Sequence, residues 1–452
     1  MSFPRYPKYK PSGVEWLGDV PEHWGIDRIK RSTIASQNGI WGDEPQQDEN
    51  DIPCVRVADF DRQRLRVQLK EPTIRNVTAK EREGRVLSQG DLLLEKSGGG
   101  ENQPVGCVVL YDDTRPAVCS NFVARVKVAP EANNSFWRYL HAAAYAVRLN
   151  TRSIKQTSGI QNLDASQYFD ERAGFPPLSE QTAIATFLYR DTAKIDSLIT
   201  EQQRLIELLK EKRQAVISHA VTKGLNPNVP MKPSGIEWLG DVPAHWQIRR
   251  LKQLAQKLTD GEHISPSICQ DGIPLLSAKD VRDWAIDYQI DKFVTIEDAN
   301  QFWKRCRPEK GDVLVVSRGA TVGRIGVVTQ SIPFCLMGSV ILCKPLQDYN
   351  ATFLYYALNA KHAQTSLWFS SASSAQQAIY IRDVAEVTLP LPPSAERAVI
   401  TEFLTSETAK LDTLTTEAQR AIDLLQERRT ALISAAVTGQ IDVRLHNSHH
   451  RT

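Results

Sequence analysis

EQTAIATFLYRDTAKIDSLITEQQRLIELLKEKRQAVISHAVT, residues 180–222, returns 216 positions later as ERAVITEFLTSETAKLDTLTTEAQRAIDLLQERRTALISAAVT, residues 396–438. Neither copy holds a glycine or proline. Pro176-Pro177 and Pro392-Pro393 stop whatever precedes them, and Gly224 and Gly439 stand where a helix would stop. Ser179 and Ser394 are the expected N-caps, with Glu180 and Glu396 in the first turn. Lys210, Lys212 and Arg213, and again Arg428 and Arg429, place positive charge where the helix dipole favours it. Each segment predicts a helix about 64 Å long at 1.5 Å per residue. A lone helix of that length has too little to bury its apolar face against, so it needs a partner.

A 3.5-residue frame supplies one. From Ile184 it runs through Leu188, Asp191, Ile195, Leu198, Gln202, Leu205, Leu209, Lys212 and Val216. From Ile400 it runs through Leu404, Glu407, Leu411, Leu414, Ala418, Ala421, Leu425, Arg428 and Leu432. The pattern predicts a two-helix coiled coil. Packed antiparallel about a pseudo-two-fold, the pair would set Asp191 against Arg428 and Lys212 against Glu407, and would return the chain near Ile441 to its N-terminal motif. The alternative is that these charges only interrupt the seam at its solvated edge. Phe187, Ile199, Ile206, Ile217 and Phe403 fall off this frame and are read as docking positions for partners and for the variable domains, or else as internal packing.

The second repeat lies ahead of each helix. PSGVEWLGDVPEHW, residues 11–24, returns as PSGIEWLGDVPAHW, residues 233–246, an offset of 222, differing only at Val14/Ile236 and Glu22/Ala244. Two long matched pairs in the same order mean a tandem duplication. Between motif and helix lie two stretches alike in pattern more than in letters. DLLLEKSGGGENQPVGCVVLY (residues 91–111) and DVLVVSRGATVGRIGVVTQ (312–330) both read strand, glycine turn, strand. An aromatic-rich helix follows in each, SFWRYLHAAAYAVRL (135–149) and ATFLYYALNAKHAQ (351–364). The fold class expected is α+β, with two α+β domains built on largely antiparallel sheets and separated by the long helices. The divisions are 1–25 (first Trp/Pro motif), 26–175 (first variable domain), 176–226 (first long helix), 227–246 (second motif), 247–391 (second variable domain), 392–440 (second long helix) and 441–452 (tail).

Composition narrows the function. The 452 residues are 41% hydrophobic and 24% charged, with a net charge of +2, so the chain is globular and does not coat nucleic acid by bulk charge. It has no run of roughly 18 apolar residues of the kind that spans a membrane. The opening MSFPRYPKYK lacks an apolar leader core. Seven cysteines without a CxxC pair read as reduced, mostly buried thiols of a cytoplasmic protein.

No GxxxxGK[ST] loop or HExxH occurs. The glycines after Ser97 read as a tight turn, because no Lys-Ser/Thr pair follows them. His23 and His245, each inside VPxHW, are assigned to capping or packing rather than to a metal. Asp91, Glu95 and Lys96 are faintly nuclease-like, but the counterpart from Asp312 has neither the Glu nor the Lys. No catalytic residue and no metal ligand is assigned.

Nucleic-acid binding remains open through local groups. RLNTRSIKQTSGIQN (148–162) carries Arg152, Lys155 and Gln156; the corresponding SSASSAQQAIYIR (370–382) carries Ser373, Gln376 and Gln377. Arginine and lysine pair with guanine, and glutamine with adenine, in the major groove, while hydroxyls hold phosphates. Lys96 and Ser97 in the first glycine turn, and Arg318 and Arg324 in the second, complete the candidate set. An ordinary solvated loop is the competing reading of the first two stretches. Arg56, Arg62, Arg64 and Arg66 alternate with Asp59 and Asp61 and read as a salt-bridged strand face.

The order of motif, variable domain and PPLSEQ-type helix (176–181), with TAKID (192–196) and its repeat TAKLD (408–412), resembles the specificity subunit of type I restriction-modification systems over nearly the whole chain. The start of the second helix, PPSAER, does not keep the glutamine. The resemblance implies a non-enzymatic subunit that binds double-stranded DNA, with two target recognition domains reading the halves of a split, asymmetric site and the helices fixing the gap. It also implies two methyltransferase subunits and restriction subunits as partners. S-adenosylmethionine, ATP and Mg would then belong to those partners, and this chain would carry no cofactor and meet no membrane. A non-DNA structural adaptor with two protein-binding domains on a coiled-coil spacer is the alternative; a self-contained enzyme with an unfamiliar site is a third reading.

Overall fold

This computed structural model describes residues 3–444 other than 158, 265, 283–284 and 373–377. The chain divides into two compact units, Met1–Gln203 with Arg420–Thr452, and Arg204–Gln419. Each unit holds one Trp/Pro motif, one variable domain, and parts of both long helices, Leu178–Lys223 and Ser394–Val437.

In the first unit the motif folds as a short hairpin, Tyr9–Pro11 on Asp19–Pro21, and Gly25–Arg28 then pairs antiparallel with Arg172–Phe175. The main sheet runs in the order Thr33–Asn38, Val123–Val128, Leu92–Glu95, Val108–Leu110, with Arg66–Val67 and Phe60–Asp61 at its end. The second unit repeats this logic: Met231–Pro233 on Asp241–Pro243, then Gln247–Arg250 on Thr388–Leu391. Its sheet order is Ala255–Asp260, Val340–Pro345, Val313–Val316, Ile325–Val327. The four shared strands pair antiparallel in both. A glycine follows the first of these strands in each unit because the chain passes tightly under another backbone. A Cβ on Gly39 would lie 2.1 Å from the Cys119 carbonyl oxygen, and one on Gly261 2.2 Å from that of Leu336.

The aromatic helix of the first unit, Asn134–Ala146, is capped by the Asn133 side chain, which accepts from the Phe136 amide. In the second unit the single expected helix is two, Ala351–Asn359 and Lys361–Ala372, broken at Ala360, whose backbone is extended. Tyr139 meets the Thr192 hydroxyl at 3.4 Å, and Tyr356 meets that of Thr408 at 3.2 Å, tying each aromatic helix to a long one.

The long helices start differently from expectation. The first begins at Leu178, so Ser179 lies inside the first turn, and the second begins at Ser394 itself. The capping acceptors are proline carbonyls: Pro177 receives the Glu180 and Gln181 amides, and Pro393 receives that of Arg397. Gln181 also donates to the Pro176 carbonyl, and Arg397 reaches that of Pro392, so the unlike residues at the two helix starts bond at the same place.

The seam is shifted by one position at every second step. Leu188, Ile195, Leu209, Leu404 and Leu411 are buried, and Leu425 is half-buried. Leu198, Leu205 and Leu414, however, are 45%, 41% and 47% exposed, while Thr192, Ile199, Ile206, Thr408 and Ile422 are buried. Two interleaved frames share the positions Ile184, Leu188 and Ile195, and the sequence offers leucines to one and isoleucines to the other. Phe187, Ile199, Ile206 and Ile217 are therefore core, whereas Phe403, the fifth residue read as off the frame, stays 38% exposed.

The charges move with the frame. Arg429 bonds Asp196 at 3.0 Å in the first unit, and Arg213 bonds Asp412 at 3.0 Å in the second. Asp191 and Arg428 lie five residues and one residue before that first pair, roughly 9 Å of helix from facing each other. Asp191 is bound by Arg190 and Lys194, Glu407 by Lys410, and Lys212 and Arg428 are exposed. The expected pairs Asp191–Arg428 and Lys212–Glu407 do not form.

Helix ends meet at the motifs. Ile184 and Leu188 share a core with Trp24, Ile433, Ala436 and Val437; Ile217, Ala220 and Val221 share one with Trp246, Ile400 and Leu404. Gly439 and Gly224 end the helices at φ +75° and +77°, beside Trp24 and Trp246. The Asp442 amide donates to the Pro4 carbonyl at 2.8 Å, so the chain beyond the second helix does return to the N-terminal segment.

Candidate nucleic-acid interface

The strand Leu92–Glu95 ends in a carboxylate that is 1% exposed and takes a 2.7 Å bond from Arg62. Burial raises the Glu95 pKa, against the pull of Arg62. Asp91 is held separately by Arg125 at 2.6 Å. These acids are structural anchors in distinct ion pairs, and among the described residues no cluster of three or more His, Cys, Asp or Glu could hold a metal ion.

Beyond Glu95 the chain turns outward. Ser97–Gly98 pairs with Ile160–Leu163, which pairs with Ile154–Thr157. The stretch expected as a polar loop is therefore a hairpin, stitched to the glycine turn as a small three-stranded sheet. Its register sets Ser97, Asn162 and Lys155 in one row, and Gly98, Gln161 and Gln156 in the next. Gln161 is buried, where its side-chain oxygen accepts from the Val105 amide; Asn162, Lys155 and Gln156 are exposed.

Ser97 donates to Asn162 Oδ1 at 2.6 Å, and Lys96 donates to Asn38 Oδ1 at 2.5 Å. Lys155 lies 2.7 Å from Asp164 and holds that carboxyl below the usual carboxylate range. Arg152 sits apart from this row, paired with Glu15 at 3.2 Å.

In the second domain the strand Val313–Val316 delivers Ser317, buried, and Arg318, exposed. Arg318 forms an antiparallel bridge to Ala378. Arg318 thus takes the place of Ser97, and the chain at Ala378 takes the place of the hairpin's inner strand. A cleft of about 520 Å³ opens here, lined by Asp260, Ser317, Arg318, Ile379, Tyr380 and Arg382 among others. Arg324 faces away, its Nη1 3.5 Å from the Val281 carbonyl. Ser373, Gln376 and Gln377 lie outside the described residues.

Asn162, Tyr380 and Arg382 were not singled out from sequence. Asn162 lies in IQNL, where burial alternates but hydropathy does not, since Gln161 is buried and Ile160 exposed; no period-two signal marks it. Tyr380 and Arg382 close the Ser/Gln-rich run already noted. His23 and His245 pack as expected, each 2.8 Å from the first-turn glutamate, Glu180 or Glu396, of a long helix.

Comparison with known proteins agrees with this layout. Residues 243–423 match the family described as "Type I restriction modification DNA specificity domain". The chain is 25% identical over 429 residues to the type I restriction enzyme EcoBI specificity subunit of Escherichia coli, covering 92% of this chain and 86% of that one. It is 20% identical over 446 residues to the putative type I restriction enzyme MjaX specificity subunit of Methanocaldococcus jannaschii, covering 95% and 96%. A solved chain described under "Structural basis underlying complex assembly and conformational transition of the type I R-M system" has the same fold, with a TM-score of 0.69 at 16% identity over 92% of this chain and 98% of that one. Over residues 243–423 and along nearly its whole length, this chain is thus similar to the specificity subunits of type I restriction-modification systems.

Proposed function

We propose that the chain is the non-catalytic DNA-recognition subunit of a type I restriction-modification complex, each variable domain reading one half of a bipartite, asymmetric site. One observation carries the reading. The two domains share strand order yet present different side chains at one equivalent place, a Ser97–Asn162 pair in one and Arg318 in the other. Same scaffold with different hydrogen-bonding groups is what two distinct half-sites require.

The long helices act as an antiparallel coiled-coil spacer that sets the gap between half-sites. The matched bonds Asp196–Arg429 and Arg213–Asp412 support this. Tethering makes the second half-site contact intramolecular. The divisions 26–175 and 247–391 serve as the recognition domains. Lys96, Ser97, Lys155 and Gln156 form the first reading surface, with Arg152 at its edge; Arg318, Ser373, Gln376 and Gln377 serve the second, and Arg324 supports its turn.

Two methyltransferase subunits, with S-adenosylmethionine, and restriction subunits, with ATP and Mg, supply the chemistry in the cytoplasm. Leu198 and Tyr189, exposed on the first long helix, favour protein partners on the helices. Among the described residues no helix is long and apolar enough to cross a membrane.

The test is co-expression with the cognate methyltransferase subunits and sequencing for methylated adenine. A bipartite motif is expected, and exchange of residues 26–174 for another recognition domain changes one half only. No methylation, or a change in both halves, overturns the reading.

A further inference from the structure

At the cleft of the second domain Arg318 stands on a backbone that is firmly held, and its guanidinium has no charge partner among the described residues. The backbone around Arg318 is held from several sides. The Ser317 amide donates to the Ser339 carbonyl at 2.9 Å, the Ile379 amide donates to the Ser317 carbonyl at 2.8 Å, and Arg318 itself bridges to Ala378. Strand alternation sends Ser317 inward and Arg318 out over the cleft.

The charges around it are largely spoken for. Asp260, on the cleft wall, is bonded by Arg305 and lies 2.8 Å from His263. Arg382 is 3.6 Å from Asp383 and lies over the Tyr380 ring at 5.6 Å. Arg318 has no side-chain partner among the described residues. The remaining walls are apolar, with Ile341 and Ile379 1% and 2% exposed. At the same place in the first domain, Ser97 is bonded to Asn162, and Lys155 to Asp164.

A planar guanidinium presents its fork to two adjacent acceptors, on a phosphate or on a flat base edge alike. The apolar walls beside Arg318, Ile341 and Ile379 among them, suit the flat face of a base and offer nothing to a hydrated phosphate. Guanine offers O6 and N7 in that arrangement on the major-groove side. We infer that Arg318 reads a guanine in the half-site recognised by residues 247–391, donating two hydrogen bonds to O6 and N7. This rests on the chain being a DNA-recognition subunit and names the base that its second domain selects.

The experiment uses the complex assembled with its methyltransferase subunits. Wild type, Arg318→Ala and Arg318→Lys are compared for methylated motif and for binding to duplexes carrying 7-deazaguanine, which lacks the N7 acceptor, at each guanine of that half-site. In Arg318→Ala, discrimination at one G·C pair falls about tenfold to hundredfold, with the other positions and the other half-site unchanged. Arg318→Lys, which keeps the charge and loses the fork, relaxes the same pair less and stands as the test should the alanine variant fail to assemble. In wild type 7-deazaguanine weakens binding at that pair; in Arg318→Ala it has no further effect there.

Equal weakening on every sequence, with a shallower salt dependence, marks a phosphate contact and overturns the inference. So does a motif unchanged in both variants, or one relaxed in the other half-site. A wild-type complex that methylates no bipartite motif instead removes the DNA-recognition reading itself.

Discussion

The clamp at the head of the first long helix and its counterpart on the second are built from the same letters and buried to different depths. Glu180 is 5% exposed and accepts from Tyr6, His23 and Trp24. The Glu396 side chain is 30% exposed and accepts from His245 and Trp246. The difference comes from the chain before the motif, where the first copy supplies Tyr6, a buried hydroxyl on the carboxylate, and Arg444 stacks on its ring at 4.8 Å. Burial raises the Tyr6 pKa, and the glutamate reinforces the effect, so the phenol stays a donor. A repeated motif thus yields one closed clamp and one open one.

The largest effect should separate these clamps. Glu180→Ala strands a buried phenol and a buried indole N–H, and is expected to cost about 3 kcal/mol; Glu396→Ala strands the buried Trp246 indole alone, beside a half-exposed His245, and costs about 1.5 kcal/mol. Urea unfolding of both variants measures the gap, and equal costs would mean that the extra burial contributes nothing.

The helix ion pairs repeat the contrast on a smaller scale. Asp196 and Arg429 are 12% and 10% exposed in their side chains, against 59% for Asp412, the partner of Arg213. Asp196→Ala leaves Arg429 buried without its acceptor and should cost about 2 kcal/mol. Asp412→Ala removes a well-solvated charge while Arg213 keeps Tyr355 beside it, and should cost about 0.5 kcal/mol. Thermal unfolding at low and high salt tests this, with only the Asp412 contribution fading as salt rises.

A third contrast concerns two buried histidines. Burial lowers the pKa of His141 and of His362 to about 4, from an ordinary value of 6.5. The unfolded chain therefore binds more protons between those values, and stability falls as pH drops through that window. Going from pH 7 to 5.5 should cost about 1 kcal/mol per histidine. His141 is bonded to the Tyr168 hydroxyl at 2.8 Å, whereas neither ring nitrogen of His362 has a partner among the described residues. His362→Leu is thus the cleaner probe: urea unfolding at both pH values should show the pH dependence reduced by the contribution of one histidine.

Much of this was legible in the sequence. The duplication, the place of the helices and the glycines that end them follow from letters alone, because Pro-Pro and Gly punctuate an uninterrupted apolar period. The seam's phase was not legible. At Leu198/Ile199 and Leu205/Ile206 both candidate frames offer an aliphatic residue, and hydropathy cannot choose between them; the Trp24 and Trp246 cores at the helix ends do. The candidate site was half visible. Sequence placed polar stretches and glycine turns in each domain, but periodicity could not reveal that Ser97–Gly98 pairs with Ile160–Leu163, since that contact joins residues more than sixty positions apart. Asn162 was missed for that reason.

The composition of the first unit bears on how the protein is made. Its core needs Ile184 and Leu188 early in the chain and Ile433, Ala436 and Val437 near its end, whereas the second unit, Arg204–Gln419, is one unbroken stretch. On the ribosome the second unit can finish while the first still shows a naked apolar stripe, and at 5–20 residues per second the last strip of that core emerges roughly 12 to 50 s after Ile184. A stop codon in the final helix beyond Gln419 would therefore cripple the half of the molecule that is translated first.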